Sequence, residues 1–233
     1  MNKPACIIIG IGPGNGLSFA KKFSNEGYSV ALCSRNLERL EEYSNQIKDA
    51  YPFEYDVTDI KAADKVFSEI RKKLGSVSVL IYNAGAGEFS NFDSSTVESF
   101  QRAWEVNARG LFSAVKAALP DMRSSGNRNI VIIGATASLR GGINTVPFAS
   151  AKSAQRSLAQ SIAKNLGPEG IHVSYVIVDG VIDLETTRKH LTDKPDDFFM
   201  NPDDIADSVY FLTQQKETAW TFELDLRPFA EKW

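Results

Sequence analysis

The sequence predicts an α/β fold in which helices cover both faces of a doubly wound, parallel sheet of seven strands. Two observations support this prediction. Seven short apolar runs alternate along the chain with longer segments whose apolar residues recur every three to four positions. The chain has 233 residues, of which 43% are hydrophobic, and no break in composition marks a linker. We therefore expect a single domain over residues 1–233.

The predicted elements follow one another in strict alternation. The strands are the apolar runs at residues 5–9, 28–33, 53–55, 77–82, 130–133, 173–178 and 221–226. The helices are the amphipathic segments at residues 17–25, 37–47, 62–73, 97–122, 146–166 and 202–214.

Two helix starts carry capping signals. Ser95-Thr96-Val97-Glu98 has the spacing of a capping box, and Asn201-Pro202-Asp203-Asp204 supplies an N-cap, a first-turn proline and two acids. Residues 184–200 form the least regular stretch of the chain. This stretch suits either a mobile substrate lid or a plain surface connection.

Composition excludes several functional classes. The formal net charge is −3 and no basic run occurs, so nucleic acid is not an expected partner. No stretch of about 20 apolar residues and no secretory pattern occurs, which predicts a cytoplasmic protein without membrane contact. Cys6 and Cys33 lie in apolar strands without metal-ligand spacing, so we expect buried side chains and no metal site. The expected partners are small molecules.

A glycine-rich turn joins the first strand directly to the first helix, in Gly10-Ile11-Gly12-Pro13-Gly14-Asn15-Gly16. Positions without a side chain let the backbone turn tightly and approach a pyrophosphate. The phosphate charge then lies against unpaired N–H groups at the helix N-terminus. The position of this turn in a βα series predicts that the chain binds a dinucleotide.

The end of the second strand indicates which dinucleotide is bound. An acid is usual there, because it binds the 2′-hydroxyl of the adenosine ribose. This chain instead has Ser34 and Arg35, whose hydroxyl and guanidinium suit a 2′-phosphate and favour NADP over NAD. The alternative is that Arg35 only solvates the start of the second helix. Asp56, after the third strand, could accept a hydrogen bond from the adenine amino group or serve as a turn acid.

Together with Asn83-Ala84-Gly85 after the fourth strand, these motifs resemble the short-chain dehydrogenase/reductase family over nearly the whole chain. The resemblance implies a Rossmann-type fold and an NAD(P)-dependent oxidoreductase. It places the pyrophosphate at Gly10, Gly14 and Gly16. It also assigns further cofactor contacts to Asp56, Val57, Asn83, Ala84, Gly85 and Ile182. Asn107 and Lys152 match the asparagine and the lysine of the family's proton relay, and Lys152 also binds the nicotinamide ribose.

The departures from the family pattern cluster at the reactive carbon. Phe148 stands four residues before Lys152, where the family has its tyrosine, and Ala135 stands at the family's serine position. Asp179 replaces a proline. Hydride transfer to a ketone creates an alkoxide, which needs a proton donor and oxyanion hydrogen bonds. Phenylalanine and alanine supply neither, so we expect ordinary alcohol dehydrogenation to be slow.

Several interpretations of these departures remain open. A hydroxyl of Thr136 or Ser138 could turn inward, although strand alternation makes Thr136 point away. A substrate that already carries a positive charge, such as an iminium, needs no proton donor, and Asp179 could stabilise that charge. Quinones and activated alkenes are another possibility, because their reduced forms are delocalised anions. The opposed interpretation is an inactive NADP(H)-binding sensor or scaffold. By resemblance, the helices at 97–122 and 146–166 are the usual subunit contacts, which implies a homodimer or homotetramer.

Overall fold

In the computed structural model, residues 3–124 and 126–230 are described and form a seven-stranded sheet with a small two-stranded sheet beside it. The strands are β1 (Ala5–Ile9), β2 (Ser29–Ser34), β3 (Ala50–Glu54), β4 (Val77–Tyr82), β5 (Asn129–Ala135), β6 (His172–Val178), β7 (Val181–Ile182), β8 (Phe199–Met200) and β9 (Glu223–Leu226). The helices are α1 (Asn15–Asn25), α2 (Leu37–Ser44), α3 (Ile60–Leu74), α4 (Val97–Trp104), α5 (Gly110–Ser124), α6 (Val146–Leu166), α7 (Glu185–His190) and α8 (Pro202–Thr213).

The large sheet is parallel throughout and has the strand order β3-β2-β1-β4-β5-β6-β9. The chain starts at the centre and winds outward in both directions, which confirms the doubly wound fold predicted from the sequence. The winding direction reverses between β1 and β4. In such sheets the loops diverge at this point and leave a crevice at the carboxyl ends of the strands.

Apolar side chains cover both faces of the sheet. On one face, α3, α5 and α6 pack against the strands through residues such as Phe67 and Leu111. On the other face, α1, α2 and α8 pack through residues such as Phe19 and Phe23. Ile7 and Ile8 of β1 are both fully buried because each lies in a different one of these cores.

The helix predicted over residues 97–122 is broken, so that prediction was wrong in one respect. A π-helical turn, Glu105–Arg109, separates α4 from α5. One backbone carbonyl of this turn is satisfied from outside the helix, because the hydroxyl of Tyr82 donates to the carbonyl of Val106 at 2.5 Å. Such turns widen a helix by one residue and occur often at functional sites.

The start of α4 also differs from the prediction. The N-cap is Thr96 and not Ser95, because the Thr96 hydroxyl accepts from the backbone N–H of Ser99 while the Ser99 hydroxyl accepts from that of Thr96. The Ser95 hydroxyl instead donates to the carbonyl of Asn91 at 2.6 Å. The predicted N-cap Asn201 is confirmed, since its side chain accepts from the N–H of Asp203.

The irregular stretch at residues 184–200 is held by local contacts. It contains α7 and ends in β8, which pairs with β7. Arg188 donates to both carboxylate oxygens of Asp183, at 2.7 and 2.9 Å, and its guanidinium lies 4.4 Å from the centre of the Phe199 ring. The stretch therefore has a defined conformation with its own short helix.

The two cysteines are fully buried in strands, as predicted. The structure adds that they lie on opposite faces of the sheet. Burial raises the pKa of both thiols. Within the part of the chain that the structure describes, no helix is both long enough and apolar enough to cross a membrane.

Candidate active site

A cavity of about 450 Å³ opens at the carboxyl ends of the central strands, at the crevice that the topology creates. Many of the residues predicted to bind a cofactor line it. They are Gly10, Ser34, Arg35, Asp56, Val57, Asn83, Ala84 and Gly85. Residues from four different loops therefore converge on one groove, which is large enough for part of a dinucleotide.

The other predicted residues lie next to this cavity and not in its wall. They are Gly12, Gly14, Asn15 and Gly16 of the glycine turn, Asn107, Lys152 and Ile182. A methyl group at Gly14 would lie 3.4 Å from Cγ2 of Ile182, so β7 packs against the turn. A methyl group at Gly85 would lie 3.8 Å from Nζ of Lys152, so the lysine is just behind the wall.

At two positions of the glycine turn, neighbouring backbone atoms leave no room for a side chain. Gly10 has a φ of +95°, and a methyl group there would lie 2.4 Å from the backbone nitrogen of Ala84. A methyl group at Gly16 would lie 2.6 Å from the carbonyl oxygen of Gly10. Gly12 differs, because a methyl group there would meet no atom within 4 Å among the described residues, so its backbone is open to an approaching ligand.

The start of α1 has the properties of an anion site. No described side chain caps the helix, so its first N–H groups keep their positive dipole. Oδ1 of Asn15 is buried and has no hydrogen-bond partner among the described residues. Leu184 reaches over the turn, with its Cδ2 2.8 Å from the position of a methyl group at Gly14. The uncapped helix start, with its free N–H donors, fits the pyrophosphate of a dinucleotide. Oδ1 of Asn15 is an acceptor, so it fits a hydroxyl donor and not a phosphate oxygen.

At the far end of the groove, Arg35 is exposed and forms no ion pair or hydrogen bond through its side chain with the described residues. Oδ1 of Asp56 accepts from both the N–H and the hydroxyl of Thr58, at 2.9 and 2.8 Å, so Asp56 caps its own turn. Tyr55 also lines the groove, and its buried hydroxyl has no partner among the described residues. Sequence reasoning missed Tyr55, although it directly precedes Asp56.

Lys152 is 5% exposed and lies on α6 behind the groove. Its ammonium donates to the carbonyl of Ile133 and to Oε1 of Gln155, both at 3.0 Å. Both acceptors are neutral. Desolvation by burial therefore lowers the pKa of Lys152 to about 7.

Gln155 joins Lys152 to Asn107. Its Nε2 donates to the backbone carbonyl of Asn107 at 2.9 Å. The Asn107 side chain donates to the carbonyls of Ala103 and Ala86, which leaves its buried Oδ1 without a partner among the described residues. Sequence reasoning missed Gln155. The pattern that could have identified Gln155 is a polar residue three positions after Lys152, because this spacing places both side chains on the same face of a helix.

A tyrosine does approach this cluster, but from the core side. Tyr175 of β6 is fully buried and donates to Oε1 of Gln155 at 3.3 Å. Its ring fills the space above Gly134, where a methyl group would lie 2.3 Å from its Cε1. Burial raises the pKa of Tyr175 to about 12, and Tyr175 lines neither this groove nor the second cavity described below.

That second cavity has a volume of about 350 Å³. Phe148 and Ala135 both line it, and the centre of the Phe148 ring is 5.1 Å from that of Phe89. The Phe148 ring centre is 6.0 Å from Nζ of Lys152. The structure thus brings together the two positions that the sequence singled out, and neither carries a hydroxyl.

The two hydroxyls closest to Ala135 in the sequence already form hydrogen bonds within the protein. The Thr136 hydroxyl donates to the carboxylate of Asp179, and the Ser138 hydroxyl donates to the carbonyl of Ala135 at 2.7 Å. Asp179 also forms an ion pair of 3.3 Å with Arg227. Its negative charge is therefore compensated, which weakens the idea that it stabilises an iminium substrate. Among the residues described, no group of three or more His, Cys, Asp or Glu side chains could hold a metal ion.

Comparison with known proteins agrees with this geometry. The model of the short chain dehydrogenase family matches residues 4–195. The 7alpha-hydroxysteroid dehydrogenase of Escherichia coli is 29% identical over 218 residues, which cover 88% of this chain and 85% of that protein.

Solved structures show the same fold. A short-chain dehydrogenase from Rhodopseudomonas palustris is 30% identical with a TM-score of 0.84, covering 97% of this chain and 99% of the other. An NADPH-bound short chain oxidoreductase from Pseudomonas aeruginosa, which contains an atypical catalytic center, is 19% identical with a TM-score of 0.90 over 100% of both chains. This chain belongs to the short-chain dehydrogenase family of oxidoreductases.

Proposed function

We propose that this protein is an NADP(H)-dependent oxidoreductase that acts on a small molecule without the family's usual proton donor. One observation carries the proposal: the chain has a groove suited to a dinucleotide, and a second cavity is lined by Phe148 and Ala135, which stand where the resemblance leads us to expect hydroxyls. The site would thus keep the residues that bind the cofactor and lack the two hydroxyls that take part in proton donation.

The residues that would hold the cofactor surround the groove. The pyrophosphate would lie on the backbone N–H groups of the glycine turn. Asn15 would contact the cofactor through Oδ1, which accepts hydrogen bonds and therefore suits a hydroxyl of the cofactor. The adenosine and nicotinamide halves would then contact Ser34, Arg35, Asp56, Val57, Asn83, Ala84, Gly85, Lys152 and Ile182. The Pseudomonas aeruginosa oxidoreductase of the same fold holds NADPH, which supports a nicotinamide cofactor here.

The preference for NADP rests on Arg35. Its guanidinium is exposed in the groove and has no partner among the described residues, so it is available to a 2′-phosphate. An NAD-specific site would place a carboxylate here to bind the ribose hydroxyl. Ser34, half-buried beside it, adds a hydroxyl donor.

When bound, the nicotinamide supplies or accepts a hydride. The chain's own residues would orient it: Lys152 toward the ribose hydroxyls, and Asn107 through its unpartnered Oδ1. Loss of a general acid typically lowers a rate by about 10² to 10⁴-fold, and loss of an oxyanion donor by about 10² to 10³-fold. A substrate whose reduced form is a delocalised anion, such as a quinone or an activated alkene, avoids most of this loss.

The absence of a hydroxyl at Phe148 equally favours a second candidate, a sensor or scaffold that binds NADP(H) without turnover. The two candidates differ in one measurement. An oxidoreductase consumes NADPH with some electrophile, and a sensor consumes it with none.

We also propose a homodimer or homotetramer, by resemblance to the family. Three aromatic side chains on α4 and α5, Phe100, Trp104 and Phe112, are 44–51% exposed. They lie on the helices that the family uses for subunit contacts. Sedimentation analysis of wild-type protein and the Trp104→Glu variant would test this assembly.

The cofactor proposal is tested by titrating the protein with NADPH and NADH and following binding calorimetrically. We expect NADPH to bind at least about tenfold more tightly, because hydrogen bonds to a phosphate are charge-assisted. Arg35→Ala should weaken the binding of NADPH and leave the affinity for NADH unchanged. Arg39→Ala, which removes an arginine outside the groove lining, is the matched control. Equal affinity of the wild type for both nucleotides would refute the role of Arg35.

Turnover is tested by following NADPH oxidation with panels of quinones, activated alkenes, imines and simple ketones. We expect activity with quinones or alkenes and little with ketones. Activity with none of the panels would favour the sensor. Rapid ketone reduction that survives Lys152→Ala would contradict the proposed site.

A further inference from the structure

The second cavity has a largely apolar wall. Phe89 and Phe148 line it with their rings in contact, and Ala135 and Val178 line it as well. Such side chains fit an aromatic or branched aliphatic body, because they offer no hydrogen bond and removal of apolar surface from water is favourable.

The threonine hydroxyls on this wall are already committed. The Thr136 hydroxyl donates to Asp179. The Thr145 hydroxyl accepts from the N–H of Gly142 at 2.8 Å and donates to the carbonyl of the same residue at 3.1 Å. Neither threonine therefore has a free proton with which to orient a substrate.

Arg140 is different. It is the one charged residue that lines the cavity in the described part of the chain, and it is exposed at the rim. Its guanidinium forms no ion pair and no hydrogen bond with any described residue. Arg102 and Arg227, by contrast, are held by Glu88 and Asp179. A guanidinium stays charged at all physiological pH values and matches a carboxylate in planar, bidentate geometry.

We propose that this cavity binds a small carboxylic acid with an aromatic or branched aliphatic body. The body packs against Phe89 and Phe148, and the carboxylate pairs with Arg140. This assignment rests on the proposed function, because it identifies the class of molecule that is presented to the nicotinamide. Among the electrophiles that need no proton donor, we therefore expect the cavity to prefer those that carry a carboxylate.

The test is a binding measurement and needs no turnover. Fluorine NMR titrations compare para-fluorophenylacetate with para-fluorophenylacetamide, which has the same ring and chain but no charge. We expect the acid to bind wild-type protein about tenfold more tightly than the amide, a modest factor because Arg140 is exposed to solvent. Arg140→Gln should remove this preference. Arg39→Gln, which removes an exposed arginine that does not line the cavity, is the charge-matched control and should keep it.

A second variant tests the apolar wall independently. Phe148→Ala should weaken the binding of the acid and of the amide to a similar extent, because both compounds lose the same ring contact. Equal affinity of wild-type protein for the two compounds, a preference that survives Arg140→Gln, or no binding of either compound would overturn the proposal. The titrations are run with and without NADPH. A failure of NADPH to bind would then count against the proposed function while the acid preference is still measured.

Discussion

Nζ of Lys152 and Oε1 of Gln155 are joined by a hydrogen bond of 3.0 Å, one helical turn apart on α6. The only other acceptor of Lys152 among the described residues is the carbonyl of Ile133. The lysine is thus solvated by two neutral oxygens in the interior of the protein. We therefore expect the stability of the protein to depend on this arrangement.

The first prediction concerns pH. Burial lowers the pKa of Lys152 to about 7, from a value of 10.5 in the unfolded chain. Between these values the unfolded chain holds a proton that the folded chain has lost, so folding becomes more favourable as the pH rises and less so as it falls to about 7. The free energy of unfolding of wild-type protein, relative to Lys152→Met, should rise by about 1 kcal/mol per pH unit across this window.

Urea unfolding of the nucleotide-free protein at several pH values measures this slope. Lys164→Met, which removes an exposed lysine of the same helix, should run parallel to the wild type. If the Lys152→Met curve were parallel instead, the lysine would not be desolvated.

The second prediction concerns Gln155. Gln155→Leu leaves the Lys152 ammonium with one acceptor and the Asn107 carbonyl without its donor. Because both groups are buried, we expect a loss of about 2–3 kcal/mol in the free energy of unfolding. Gln155→Glu keeps an acceptor and adds a negative charge, so it should raise the pKa of Lys152, as followed by NMR of isotope-labelled lysines. A Gln155→Leu variant as stable as the wild type would show that this network is dispensable.

The third prediction concerns the fit between Gly134 and Tyr175. Gly134→Ala places a methyl group 2.3 Å from Cε1 of the tyrosine ring, and overpacking of this kind costs about 1–3 kcal/mol. Tyr175→Leu removes the ring and leaves space. The double variant should therefore lose less stability than the sum of the two single variants, by about 1 kcal/mol or more. Additive losses in urea unfolding would contradict the contact.

The fourth prediction concerns the missing hydroxyls. Phe148→Tyr combined with Ala135→Ser adds the two hydroxyls that, under the proposed function, would act as a proton donor and an oxyanion partner. The rate of NADPH-dependent reduction of simple ketones should then rise by about 10²-fold or more, with unchanged NADPH affinity. Phe148→Leu is the control, since it changes the wall without adding a hydroxyl. A wild-type enzyme that already matches the double variant would show that another group donates the proton.

Most of the fold could be predicted because it rests on local periodicity. Continuous apolar runs such as residues 77–82 form buried parallel strands wherever helices can cover both faces, and the glycines at 10 and 16 are required by close backbone approach. The break at Glu105–Arg109 could not be predicted, since its Val106 carbonyl bonds to the hydroxyl of Tyr82, a residue of another element.

The order of residue types along the chain was enough to determine the sheet and the glycine turn, and to single out Phe148 and Ala135, because each follows from residues at a constant spacing. Folding in three dimensions was needed to show that Gln155 holds Lys152 and that Arg140 is unpaired among the described residues beside an apolar cavity. These contacts depend on which side chains meet in the packed protein, and no local pattern encodes those distances.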